Sequence, residues 1–156
     1  MVDRNDEQTP FQLAKVLHGV DNIAYVAGFV DGEGCISVTT KKNPYGMLSY
    51  DPYIQVTNTN KEVLEFCRYV LCGFGNIKTH RLKYRVNTRD YHVLTIWGKE
   101  KVKTAISIIL PYLIVKKGVA ELVLKLASRT LYAHPTVQDQ EIIEGIRELN
   151  KTGRDE

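Results

Sequence analysis

The spacing of hydrophobic residues changes several times along the chain, and each change marks an element. Ile23, Val26, Ala27 and Val30 recur at i, i+3, i+4 and i+7, the stripe of an amphipathic helix. With Asp21 as N-cap, the spacing predicts a helix over 22–31, stopped by Gly32 and Gly34. Ile36, Val38, Thr39 and Thr40 then alternate and are β-branched, which predicts a strand over 35–41. Asn43-Pro44-Tyr45-Gly46 is turn chemistry, and a second strand is expected over 50–57. Thr59-Asn60-Lys61-Glu62 reads as a capping box opening a helix to about residue 71, closed by Gly73-Phe74-Gly75. Residues 76–85 and 90–97 read as a hairpin. Helices are predicted over 99–110, stopped by Pro111, over 117–129, and over 137–150 after Pro135, with a short one over 11–20 at the start. Two hairpins, each following a helix, predict an α+β fold: one antiparallel sheet with helices on one face.

At 156 residues, with 44% hydrophobic and 25% charged side chains, the chain has the composition of an ordinary globular domain. This excludes disorder and collagen-like repeats. No apolar run approaches the ~18–20 residues of a membrane span, and Asp3, Asp6 and Glu7 speak against a secretory signal. Three cysteines are too few and too oddly numbered for a disulfide framework, so an intracellular, reducing compartment is expected.

The net charge of +3 is small but unevenly spread. Residues 1–33 carry a net −4, residues 34–103 a net +7, and residues 104–156 balance to zero. The basic density peaks at Lys78, His80, Arg81, Lys83, Arg85, Arg89 and His92, with Tyr84 and Tyr91 interleaved. Such a run suits a polyanion; it also suits a lysine-guarded sheet edge.

The chemistry concentrates in Val26-Ala27-Gly28-Phe29-Val30-Asp31-Gly32-Glu33-Gly34, a helix ending in two acids flanked by glycines. Ala24 and Gly28, like Ala27 and Asp31, are four apart, and small residues at that spacing admit another helix backbone. Two carboxylates at the negative end of a helix raise the local cost of charge unless a cation is present. The competing reading is a Gly-capped helix with solvated acids.

This string resembles the signature of LAGLIDADG homing endonucleases, with Val26 for the first Leu, Phe29-Val30 for Leu-Ile, Gly32 for Ala and Glu33 for the second Asp. The succession helix, hairpin, helix, hairpin, helices is similar to that family's αββαββα core, here about 21–129, with a C-terminal helical extension over 130–156 inside a single domain 1–156. The resemblance implies that Glu33 is the metal-binding acid, with the carbonyl of Gly32 as a second ligand. It implies that Asn58, just before the second core helix, positions water, and that Lys116, after Pro111-Tyr112-Leu113, is the basic residue of the catalytic pocket. Where similar proteins carry a second basic group this chain has Glu62, which leaves the neighbouring Lys61 as the candidate.

Members of that family with one copy of the motif are homodimers, so the resemblance implies a homodimer here, with Ala24, Ala27, Gly28 and Asp31 expected at the two-fold contact. Mg²⁺ is the expected ion; the reaction the resemblance implies is metal-assisted hydrolysis of both strands of double-stranded DNA at a long, nearly palindromic site, leaving 3′ overhangs. A strand of about ten residues spans roughly 33 Å, or about 10 base pairs per subunit. The residues expected to face DNA are Ser37, Thr39 and Lys41 on the first strand, Asp51, Tyr53, Gln55 and Thr57 on the second, and Lys78, His80, Lys83, Arg85 and Arg89 around the basic hairpin. On the fourth strand the sets Tyr91/Val93/Thr95 and His92/Leu94/Ile96 are both open. The alternative is a non-catalytic binder on the same fold, either an RNA-splicing maturase, with intron RNA as partner, or a DNA-binding regulator.

Overall fold

The computed structural model describes residues 10–42, 44–81, 89–129 and 135–151. The elements follow the order α1 (Pro10–His18), α2 (Val20–Glu33), β1 (Gly34–Lys42), β2 (Leu48–Asn58), α3 (Lys61–Val70), β3 (Asn76–His80), β4 (Tyr91–Trp97), α4 (Lys99–Ile109), a 3₁₀ turn (Leu110–Tyr112), α5 (Lys117–Ala127) and α6 (Val137–Lys151). The four strands form one sheet in the order β1-β2-β4-β3, every neighbouring pair antiparallel. The fold is α+β, as the alternation of hairpins and helices predicts.

The strands obey the period of two. Ile36 and Val38 on β1, Tyr50, Ile54 and Val56 on β2, and Leu94 and Ile96 on β4 point into the core. There they meet Ile23, Val26, Ala27 and Val30 of α2, Leu64, Cys67 and Val70 of α3, and the apolar faces of α4 and α5. Each such Ile, Leu or Val side chain contributes about 1.5–3 kcal/mol by leaving water. Helix α4 lies against α1, α2 and α5 and beneath β2 and β4. Pro52 falls one residue past the point where β4 ends opposite Tyr53. There β2 has a neighbour on one side only, where a missing N–H is tolerated.

Several boundaries differ from those the sequence predicts. Helix α2 starts a turn's half earlier, at Val20, and Gly19 rather than Asp21 precedes it, without a side-chain cap. It also continues through Gly32 to Glu33, because the strand begins at once with Gly34 and no loop is needed. The cap of α3 is Asn60, not Thr59: its side chain accepts from the amides of Glu62 and Val63, while Asn58 Oδ1 accepts from the amide of Asn60 at 2.8 Å. Helix α3 closes in a Schellman turn, with the Gly73 amide bonded to the Arg68 carbonyl at 2.8 Å and Cys72 in the left-handed region at φ 63°.

Helix α6 packs on α5 and β1. Thr136 and Asp139 cap it reciprocally, with the Thr136 amide donating to Asp139 Oδ2 at 2.7 Å and the Asp139 amide to Thr136 Oγ1 at 3.2 Å. Asp139, 3% exposed, also pairs with Arg129 at 2.9 Å, tying the end of α5 to the start of α6. Near the other end of α6, Asn150 Nδ2 donates to the Ile36 carbonyl and Arg147 to Thr40 Oγ1. The edge strand β1 is thereby tied to α6. Among the described residues, no helix is long and apolar enough to cross a membrane.

Candidate active site and nucleic-acid surface

The motif helix divides its residues between two faces. Ile23, Val26, Ala27 and Val30 are fully buried in the chain's own core. Ala27 therefore belongs to that core and not to the face expected for self-pairing. Gly28 and Gly32 lie on the exposed side, and a Cβ added to either would meet nothing within 4 Å. Ala24 beside them is half-buried.

At Gly34 the constraint is the reverse. A Cβ there would stand 2.6 Å from the Val30 carbonyl oxygen, to which the Gly34 amide itself is bonded. Only glycine lets β1 leave the helix end at that angle. The consequence is that Glu33 ends α2 exposed to solvent, immediately before the first sheet residue.

Asp31 has a different role from the one its position in the motif suggests. Its carboxylate accepts three consecutive amides across the fold: Ile114 N at 2.7 Å and Val115 N at 3.2 Å on Oδ2, and Lys116 N at 2.9 Å on Oδ1. In return, Lys116 Nζ donates to the main-chain carbonyl of Asp31. Asp31 thus faces the turn before α5 within its own chain. Lys116, at the N-cap of α5, is delivered to the last turn of the motif helix, two residues from Glu33. An ammonium there also offsets the partial negative charge of the helix end.

Asn58 comes to the same end of the sheet by register. Gly34 is opposite Val56, so Asn58 lies two residues further along β2, opposite His92 of β4. Its side-chain oxygen is engaged in the turn that starts α3. Lys61, exposed, is the first residue of that helix.

The side of the sheet away from the helices is open. Ser37 is opposite Tyr53 and Thr39 opposite Asp51; Gln55 is opposite Thr95 and Thr57 opposite Val93; Lys78 is opposite Val93 and His80 opposite Tyr91. With Lys41, these are the strand positions expected to share one face, and they do. Register also decides the fourth strand: Tyr91, Val93, Thr95 and Trp97 face outward, while Leu94 and Ile96 join the core. On the helix side, the His92 ring nitrogen Nδ1 meets Thr79 Oγ1 at 2.9 Å.

Sequence reasoning missed Trp97 and Asn76 on the open face. Trp97 is 48% exposed, and its ring lies 4.8 Å from that of Tyr53. The available signal was the odd-numbered period of β4, which Trp97 completes. Toward the hairpin end, the His80 and Tyr91 rings stack at 5.2 Å and Arg81 pairs with Asp90 at 3.3 Å. Arg89 is exposed. Lys83 and Arg85 lie outside the described residues.

The cysteines are not metal ligands in this arrangement. Cys67 is fully buried, and burial pushes its thiol up to about 11; partial burial also raises that of Cys72. Among the described residues, no group of three or more His, Cys, Asp or Glu could enclose a metal. The oxygen donors at the motif end are the exposed Glu33 carboxylate and the Gly32 carbonyl. This set suits a hard cation that keeps most of its waters rather than one needing an all-protein cage.

The family model of the LAGLIDADG-like domain matches residues 21–109, more than half of the chain. The chain belongs to this family. The matched span runs from the start of the motif helix to the end of α4. Among solved structures, the chain is similar to the archaeal intron-encoded homing endonuclease I-Vdi141I complexed with DNA, with 22% identity and a TM-score of 0.67 over 87% of this chain and 86% of that one. It is similar to the homing endonuclease I-TnaI, with 19% identity and a TM-score of 0.63 over 85% of this chain and 96% of that one. It also resembles the LAGLIDADG homing endonuclease I-GzeII in complex with its DNA target, with 21% identity and a TM-score of 0.60, covering 81% of this chain but 43% of the other. These likenesses establish the fold. No curated protein matches the chain in sequence.

Proposed function

We propose that this LAGLIDADG-family chain is a site-specific double-strand DNA endonuclease of the intron or intein homing type, acting as a homodimer with Mg²⁺. The observation that carries the reading is that an exposed acid, Glu33, ends the helix turn to which Lys116 is hydrogen-bonded, through Asp31, from the far side of the fold. A protein that only bound nucleic acid would gain nothing from an exposed acid there, since a carboxylate repels phosphate.

The two-fold arrangement rests on the exposed face of α2. Gly28 and Gly32 have no steric reason within the chain to be glycine, and a second helix approaching along them would supply one. The chain's match to less than half of I-GzeII fits the same idea. Paired in this way, two Glu33 residues converge at the foot of the helices, and the two open sheet faces form one extended, two-fold symmetric surface. A nearly palindromic target follows from that symmetry.

Glu33 and the Gly32 carbonyl would hold the ion. When bound, it would supply Lewis-acid activation of water and of the scissile phosphate. Lys116 contributes a fixed positive charge that offsets the charge developing on the phosphoryl oxygens. Asn58 offers an amide for orienting water. Ser37, Thr39, Lys41, Asp51, Tyr53, Gln55, Thr57, Lys78 and His80 form the reading surface, where the strands supply side-chain hydrogen bonds and the lysines contact phosphates.

The test is selection of cleaved sequences from a randomised double-stranded DNA library with Mg²⁺. Recovery of one long, nearly palindromic family of targets, cut with 3′ overhangs, is the expected result. Tight, salt-dependent retention of DNA with no cutting would replace this reading with that of a non-catalytic binder.

A further inference from the structure

Asp31 makes none of the contacts expected of an outward-facing motif acid. One carboxylate takes three successive backbone amides, 83 to 85 residues away in sequence, in a turn whose side chains Ile114 and Val115 stand 85% and 78% exposed. Little apolar packing holds these two residues down. What fixes this part of the turn is the carboxylate, and bonds from amides to a charged acceptor are stronger than those between neutral groups.

The contact is reciprocal. Asp31 grips the main chain of Lys116, and the side chain of Lys116 grips the main chain of Asp31. A lysine has four rotatable side-chain bonds and loses rotamer freedom when it is ordered. Anchoring its backbone at the place where its ammonium must act reduces what remains to be ordered. Both ends of this loop of contacts lie on the last turn of α2, the turn that carries Glu33.

We propose that Asp31 is a positioning residue: its carboxylate fixes the 114–116 turn so that the Lys116 ammonium is held on the last turn of α2, the turn that ends in Glu33. This rests on the endonuclease reading for its effect on rate, but the placement itself does not. Groups that orient metal ligands commonly contribute about 10–100-fold to activity, and an effect of the same order is expected of one that orients a functional lysine. Asparagine at position 31 keeps one acceptor oxygen but loses the charge and sets an NH₂ against an amide donor, so it loosens the clamp with little change in volume.

Two measurements on the intact 156-residue chain test the proposal. The first is amine acetylation footprinting, with the exposed neighbour Lys117 as internal reference. Asp31→Asn should raise the labelling rate of Lys116 relative to Lys117 several-fold while the far-ultraviolet circular dichroism is retained; an unchanged ratio would overturn the proposal whether or not the protein cuts DNA. The second is a double-mutant cycle on cleavage. Asp31→Asn should lower kcat by about 10–100-fold with DNA affinity within about threefold of the parent, and should cost almost nothing further in a Lys116→Met background. An equal loss in both backgrounds would show that Asp31 acts through general stability and not through Lys116. If the parent cuts no DNA while the footprint shifts as expected, the endonuclease reading fails and the positioning of Lys116 by Asp31 stands.

Discussion

Trp97 lies directly opposite Tyr53 in the β2–β4 ladder, and the two rings meet at 4.8 Å on the open face of the sheet. A tryptophan left 48% exposed beside a tyrosine is a large apolar surface on a face that elsewhere exposes mainly hydroxyl, amide and charged groups, its Val93 being only 8% exposed. Nothing in the core requires it. On the proposed function it is an anchor for DNA, and aromatic anchors of this kind commonly contribute 2 kcal/mol or more at interfaces. Trp97→Ala is therefore expected to weaken DNA binding by roughly 10–30-fold while leaving the melting temperature within about 3 °C of the parent. Binding measured by fluorescence anisotropy at fixed salt checks this, and unchanged affinity would remove Trp97 from the reading surface.

Glu33→Gln should separate cutting from binding. The amide is nearly isosteric and retains an oxygen, but it loses the charge on which cation binding depends. Cleavage is expected to fall by about 10³-fold, the scale of losing a main electrostatic contributor, with DNA affinity changed by less than about fivefold. Since Glu33 is exposed, thermal stability should be unaffected. A variant that still cuts at the parent rate with Mg²⁺ would remove Glu33 from the catalytic centre.

The open sheet face and the motif end were readable to different depths. Ser37, Thr39, Gln55 and Thr57 could be placed from period two alone, because burial on one face leaves the alternate residues no other side. The fourth strand could not, since Val93, Leu94 and Ile96 are apolar on both parities. Only the pairing of Thr95 with Gln55 resolves it. The lysine was found through the motif it follows. Its true attachment, three amides on Asp31, was invisible because partners more than 80 residues apart leave no local pattern. Ala27 and Gly28 are adjacent small residues in the sequence, and only the direction of each on the helix tells core from surface. Asn60 displaced Thr59 as cap because Asn58 turns the chain one residue later.

Cys67 provides a pH test of the core. Its thiol is raised from 9.0 to about 11 by burial, so the folded state holds the proton more tightly than the unfolded chain. The stabilisation is full below pH 9 and is lost as pH rises toward 11, amounting to about 2–3 kcal/mol. Denaturant melts at pH 8 and pH 10.5 should show a larger loss for the parent than for Cys67→Ala, whose unfolding carries no such thiol. At pH 8 in the folded protein, Cys72, which is exposed, should alkylate well before Cys67. Equal alkylation rates would mean that the helix opens easily around Cys67.

Two glycines of the motif, six residues apart, should fail in opposite ways. Gly34 is required by its own chain: a Cβ would press on the Val30 carbonyl at 2.6 Å, and backbone atoms cannot swing aside as a side chain can. Gly34→Ala is expected to destabilise the fold by about 1–3 kcal/mol and to disturb Glu33 next to it. Gly28 has open space on its outer side, so Gly28→Leu should leave a monomer that still folds, with its far-ultraviolet circular dichroism retained. Its cost should appear only in assembly, where a leucine holds two helix backbones apart. Sedimentation equilibrium across a hundredfold concentration range separates the cases. The parent is expected as a dimer and Gly28→Leu as a folded monomer, with Gly34→Ala dimeric but less stable to denaturant. A folded Gly28→Leu dimer of parental affinity would place the two-fold contact elsewhere, and the convergence of the two Glu33 residues would go with it.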